Sequence, residues 1–226
     1  MAYNHGVLVY ENPTSITPPV EADSAVQFIV GTAPINLIDD PEGAVNKPIL
    51  VYSFTEAVKK LGYSDSFDKF TVCESIDASF RVYNAAPLVI VNVLDPAVHN
   101  TAVSGELQNI VNREVVIEKE GILLDNTFLV KDSSEATTYI LDDDYKVSFT
   151  DDGYVLLEIV EGGQIDTDGE ASLTIDYTQL DPSAVTEEDI IGGYNSATGK
   201  YTGLENIEQV YPQFGLVPGL IVCPGW

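Results

Sequence analysis

Positive charge is what this chain has least of. Ten Lys and Arg face 36 Asp and Glu, for a formal charge of −26 over 226 residues. Polyphosphate binding is carried by Lys and Arg, so the charge argues against nucleic acid as a partner. The same imbalance makes close packing of identical copies costly without countercharge. No run of eighteen apolar residues is present, so no helical membrane insertion is expected. The first residues lack the basic, then apolar, then small-residue order of a secretory signal. Cysteine is scarce: Cys73 and Cys223 are far apart and have no metal-type spacing. Two such thiols suit a reducing compartment and burial, and a disulfide between them stays open. Of two histidines, His5 and His99, neither has the Ser, Cys or carboxylate pattern of a triad, so both read as arm or loop residues. Gly31-Thr32-Ala33-Pro34 lacks the repeated glycines of a phosphate loop and reads as a turn. No enzyme, cofactor or metal is expected.

Apolar residues are plentiful at 45%, enough for a core in one large domain or two small ones. His5-Gly6-Val7-Leu8-Val9-Tyr10-Glu11-Asn12 reads as extended, with no helical spacing. Pro13, Pro18 and Pro19 follow and bar a helix. No Asn-Gly or Asp-Gly turn allows this strand to fold back on itself. It is either an edge strand of its own sheet or an arm that adds a strand to a neighbouring molecule. Tyr3, Gly6, Val7, Leu8, Val9, Tyr10 and Ile16 are therefore the candidate subunit-interaction residues. Main-chain groups from Gly6 to Tyr10 would pair with the partner's edge while alternate side chains fill its pockets.

Ala25 to Gly31 is a short, nearly continuous apolar run, as expected of a strand covered on both faces. Lys47 to Tyr52 is a second extended piece. Ser53-Phe54-Thr55-Glu56 has capping-box spacing, Phe54, Ala57, Val58 and Leu61 follow at helical spacing, and Gly62 is the stop. A longer helix is predicted over Lys69 to Asn84, with Cys73, Ile76, Phe80 and Tyr83 facing inward. Pro87 to Leu94 reads as another buried strand. Strand, helix, helix, strand makes an α/β layer.

From about Asn112 the period changes to two. Val115 and Ile117, Phe128 and Val130, then Tyr145, Val147 and Phe149 alternate with polar residues. Tyr154, Leu156 and Glu158, then Leu173, Ile175 and Tyr177, continue the pattern. Asp125-Asn126, Asp151-Asp152-Gly153, Glu161-Gly162-Gly163 and Asp168-Gly169 supply turns. Short strands at this spacing predict an antiparallel β-sandwich or barrel with one acidic face, closing near Leu180-Asp181-Pro182. Lys131 to Ile190 holds seventeen Asp and Glu against Lys131 and Lys146 alone. Asp142-Asp143-Asp144 has the chemistry of a hard-cation site. Asp166-Thr167-Asp168-Gly169 has a superficial calcium-loop look. Aligned on the EF-hand glycine, however, it places Gln164 at the first ligand and Ile175 at the bidentate position. That pattern fails, and Asp-Gly reads as hairpin chemistry. Thr186 caps a short helix opening with Glu187, Glu188 and Asp189, and Gly203 to Val210 is helical. A buried-type strand, Gly219 to Cys223, is followed by a turn ending at Trp226.

These segments, in this order, resemble the contractile tail sheath proteins of bacteriophages and of related phage-derived particles. His5-Gly6-Val7 with Pro18-Pro19-Val20 resembles their N-terminal arm, and Phe28 to Pro34 their first core strand and its turn. Val51 to Ala57 with Leu61-Gly62 resembles the strand and helix that follow, and Leu88 to Leu94 the strand that ends the first layer. Val217 to Gly225 resembles the start of the larger conserved sheath domain. The resemblance implies a structural subunit that polymerises around a tail tube and contracts to drive the tube through a cell envelope. Implied partners are sheath subunits of the same and adjacent rings, the tail tube protein, and baseplate and tail terminator proteins. The implied location is the virion tail or a phage-like particle, assembled in the bacterial host cytoplasm. The family's C-terminal half has no counterpart here, so the chain is expected to be a fragment.

The expected fold class is α+β: an α/β layer, an inserted antiparallel β-sandwich or barrel module, and the start of a further mixed α/β sheath domain. The expected division is an arm over 1–22, the α/β layer over 23–108, the acidic β-module over 109–182 and the start of the sheath domain over 183–226. Two other readings compete: an acidic surface or secreted β-rich binding module using calcium, and an α/β enzyme without its catalytic half.

Overall fold

A computed structural model describes residues 23–165 and 171–226. The apolar run after Asp23 forms strand β1 (Asp23–Gly31), with Val26, Phe28, Ile29 and Val30 fully buried. Both faces of the strand are covered, which is why its sequence does not alternate. It pairs in parallel with β3 (Leu88–Asn92), and β3 pairs antiparallel with the short β2 (Ile49–Val51). On the other side β1 pairs in parallel with β13 (Pro218–Val222), so the end of the chain returns to the first layer. The sheet order is β13-β1-β3-β2.

Helix α1 (Phe54–Leu61) starts as its sequence predicts. The Ser53 hydroxyl accepts from the Glu56 N–H at 3.2 Å. The Glu56 carboxylate reaches the N–H of Tyr52, one residue beyond the usual box, at 2.9 Å. Gly62 ends the helix at φ +74°, where a Cβ would lie 2.3 Å from the Pro34 carbonyl oxygen. The long helix expected after Lys69 is instead α2 (Thr71–Ile76) followed by a π-helical segment, Asp77–Val82. The i→i+5 bonding there, with Tyr83 N–H on Ala78 O at 2.9 Å, shifts the phase of the inward face. Cys73 and Ile76 are buried and Phe80 packs against the core, but Tyr83 turns outward and is 77% exposed.

Asn92, fully buried at the end of β3, ties this layer together. Its Oδ1 accepts from Ala33 N–H at 3.0 Å and Leu94 N–H at 3.1 Å, and its Nδ2 donates to Leu94 O at 3.0 Å. Its carbonyl accepts from Asn46 N–H at 2.8 Å, and Asn46 Oδ1 accepts from Gly203 N–H at 2.9 Å. Segments around Ala33, Asn46, Asn92 and Gly203 therefore meet through the side chain and carbonyl of Asn92 and the side chain of Asn46.

The acidic section forms two antiparallel sheets. In one, β4 (Asn100–Asn109) pairs with β10 (Ser172–Leu180), which also carries β6 (Ile122–Leu123) and β7 (Leu129–Asp132). The other has the order β5-β9-β8, from β5 (Glu114–Ile117), β8 (Tyr145–Phe149) and β9 (Val155–Ile159). Ile117, Val155 and Leu157 from one sheet and Val130, Ile175 and Tyr177 from the other share a single buried cluster. Neither sheet closes on itself, so the barrel alternative is not formed among the described residues. Strand β9 has the opposite phase to the sequence reading: Val155, Leu157 and Ile159 point inward, while Leu156 and Glu158 do not. Its outward face is half apolar, so alternation alone could not choose the side. At the joint between the two parts, Glu120 accepts from the Ser64 hydroxyl at 2.5 Å and from Lys69 Nζ at 3.0 Å.

Helix α3 (Glu187–Ile191) opens with Asp189 Oδ2 accepting from the Thr186 N–H at 2.8 Å and its hydroxyl at 2.7 Å. A hairpin of β11 (Gly193–Asn195) and β12 (Lys200–Thr202) leads to α4 (Ile207–Phe214). The overall class is α+β, with mixed helices and sheets as expected.

Replacing Asn92 with Ala strands two buried N–H groups and one carbonyl. At about 1–3 kcal/mol for each of the three unsatisfied buried groups, Asn92→Ala is expected to cost at least about 3 kcal/mol. Urea unfolding should show a large fall in midpoint with the slope unchanged.

Candidate assembly surface

The sequence-predicted arm residues Tyr3, Gly6, Val7, Leu8, Val9, Tyr10 and Ile16 lie outside the described residues, as do His5 and Asp166 to Gly169. What the described residues offer a partner is a sheet edge and a groove.

The edge is β13. Its sequence reads as a buried strand, but it is the outermost strand of its sheet, with Leu220 49% and Ile221 53% exposed. Apolar composition cannot distinguish an interior strand from one that presents a greasy edge, and this explains the difference. Trp226, two residues past the Pro224 turn, is also half exposed. The opposite edge, β2, is partly blocked: Lys60 Nζ donates to Leu50 O at 2.9 Å and is held by Glu56 at 2.8 Å. Long, unblocked edges are templates for pairing with another chain.

The groove, about 600 Å³, lies where the chain leaves β3. Its walls are the segment around Lys47, the β11–β12 hairpin with Lys200 and Tyr201, and helix α4 with Gln209 and Gln213. The hairpin is stiffened by the Tyr194 and Tyr201 rings, packed at a tilt of 42° with 4.7 Å between centroids. The Asn92–Asn46–Gly203 linkage sets the position of both walls. Sequence reasoning missed this site because its parts are more than 150 residues apart and carry no local motif.

The residues with metal or catalytic chemistry are engaged structurally. Asp144 is buried, and its two oxygens accept from the N–H groups of Ile140 and Gln164, each at 2.8 Å. That carboxylate staples two loops, which gives no support to a calcium-binding module. Among the described residues no group of three or more His, Cys, Asp or Glu could hold a metal ion. His99 is a loop residue, but a buried one. Its Nδ1 accepts from Asp95 N–H at 3.0 Å, and its Nε2 lies 3.5 Å from Asp189 Oδ2. Cys73 and Cys223 are free thiols, and burial pushes the Cys73 thiol up to about 12. No helix among the described residues is long and apolar enough to cross a membrane.

Charge pairs hold the acidic sheets. Lys131 Nζ lies 2.6 Å from Asp176 Oδ2, whose other oxygen accepts from Gly105 N–H at 2.7 Å. The Lys131 hydrogen bond holds the Asp176 carboxyl below the usual carboxylate range. Burial pushes Glu106 up, but hydrogen bonds from Lys119 at 2.6 Å, from the Tyr177 hydroxyl and from Gln108 outweigh it, so Glu106 is also lowered.

A sheet edge and a groove are surfaces on which another chain can dock. No protein-family model matches the chain. Over 227 aligned residues it is 30% identical to the tail sheath protein of Burkholderia phage BcepMu, with 99% of this chain covered. The likeness to that tail sheath protein thus runs the length of the chain. The chain spans 43% of that relative.

Both lowered carboxylates contribute stability that is complete above their unfolded values near pH 4 and lost as pH falls through the lower folded values. Lys131→Met removes the partner of Asp176. The variant should be less stable than the unaltered chain above about pH 5, and the gap should narrow below pH 4. Urea midpoints across a pH series read both limbs.

Proposed function

We propose that this chain is the N-terminal portion of a contractile tail sheath subunit. Copies polymerise around a tail tube, and their contraction drives the tube through a cell envelope. The observation that carries this reading is the alignment of nearly the whole chain with a tail sheath protein. Its partners are sheath subunits of the same and adjacent rings, the tube protein, and the baseplate and terminator proteins at the two ends. Assembly takes place in the bacterial host cytoplasm, and the product is a virion tail or a phage-like particle.

In this reading residues 1–22 are the connecting arm. Gly6, Val7, Leu8, Val9 and Tyr10 add a strand to the edge of a neighbouring subunit, while Tyr3 and Ile16 fill pockets beside it. The exposed outer edge of β13, with Leu220 and Ile221, has the chemistry of an acceptor. The acidic sheets act as a sandwich-like module turned outward on the particle, where solvent spreads their mutual repulsion. Residues 183–226 begin the conserved sheath domain.

Electron microscopy of the full-length gene product should show tubes. Deleting residues 1–20 should abolish the tubes and leave circular dichroism and the melting temperature unchanged; normal tubes from the deletion refute the arm mechanism. A salt series followed by light scattering should show stronger assembly at moderate ionic strength, because screening shortens the range of repulsion between copies. Weaker assembly across that range counts against an outward-facing acidic module.

A further inference from the structure

Five of the ten cationic side chains are each held by a carboxylate: Lys60, Lys69, Arg81, Lys119 and Lys131. Lys47, Lys59, Arg113, Lys146 and Lys200 make no ion pair with described residues. In so acidic a chain, a cation with no carboxylate partner among the described residues stands out. Two of the five, Lys47 and Lys200, are far apart in sequence but line the same groove.

The groove's own acids do not cancel them. Asp95 Oδ1 accepts from the Ala97 N–H at 2.8 Å, which turns that oxygen toward its own loop. Glu42 stands exposed at the wall, and its side chain bonds to no described residue. Formally the lining is neutral, whereas the chain carries −26. An acidic molecule therefore approaches this face against less repulsion than elsewhere and finds two amines within it. Gln209 and Gln213 sit one turn apart on α4, both lining the groove, with side-chain amides that bond to no described residue. An amide side chain offers both a donor and an acceptor, which is the complement of a peptide main chain.

We propose that this groove is a contact site for a second copy of the chain, receiving an extended acidic segment. Carboxylates of that segment reach Lys47 and Lys200, and its main-chain N–H and C=O groups bond Gln209 and Gln213. The choice of occupant follows from charge: each further copy brings 36 carboxylates. This contact is separate from strand addition by the arm, and it rests on the reading of the chain as a self-assembling subunit.

The test compares two double charge reversals of the whole chain. Lys47→Glu with Lys200→Glu changes the groove. Lys59→Glu with Lys146→Glu changes two equally unpaired lysines elsewhere and alters the net charge by the same amount. All four lysines are exposed, so both variants should fold, as checked by circular dichroism; Lys→Gln versions replace any that do not. Sedimentation equilibrium of the unaltered chain and both variants gives the association constants. The groove variant should associate at least tenfold more weakly than the control variant. Equal weakening in the two overturns the groove contact and leaves the assembly reading in place. A chain that stays monomeric at every accessible concentration overturns both. Shifts of the Gln209 and Gln213 side-chain amide signals on adding a neutral oligosaccharide, with none on self-association, would assign the groove to a glycan and also overturn the proposal.

Discussion

A single buried amide holds the first layer in register. Asn92 has no solvent to fall back on, so each of its polar atoms must be matched within the protein. Its side chain ties the turn after β1 to the residues after β3, and its main-chain carbonyl holds Asn46, whose side chain reaches Gly203. Hydrophobic burial of β1 and β3 supplies most of the driving force but has no direction. The amide supplies direction, fixing how the loop ends stand relative to one another. The groove walls meet at Asn46, which lines the groove, is held by the Asn92 main-chain carbonyl and accepts from the Gly203 N–H.

Charge is handled by segregation. Half of the scarce cations are spent inside the chain: two within the acidic sheets, at Glu106 and Asp176, and one at the joint, on Glu120. The pairs in the sheets are partly shielded, so they resist salt better than exposed pairs would. Most of the remaining negative charge faces water. If copies pack against one another as proposed, this leaves few places where contact meets little repulsion. Such places are better sought among the unpaired lysines than among the acids.

Much of the first layer was legible because its signals are local. Ser53 and Glu56, Gly62, Thr186 and Asp189 act within a turn of where they stand in sequence, and β1 and β3 are apolar on both faces. Three features were not legible, each for a different reason. Strand β4 is polar almost throughout and owes its existence to the long β10 beside it, so no hydrophobic period marks it. The π segment at Asp77–Val82 changes helical phase without any residue type that signals it. The exposure of β13 depends on which strand lies beyond it, which composition does not encode. The arm was the clearest functional signal in the sequence and lies outside the described residues. The groove required the fold, since Lys47 and Lys200 mean nothing to each other along the chain.

Strands β4 and β10 begin and end the acidic sheets, and Asn100 pairs directly with Leu180. The chain therefore leaves the first layer and comes back to it at points separated by one strand spacing, about 5 Å. Any fold whose two ends lie that close can in principle be spliced in at the same place. Related chains are thus free to exchange this portion wholesale during evolution, keeping the layer that carries the groove, and the same junction offers a position for grafting a foreign domain.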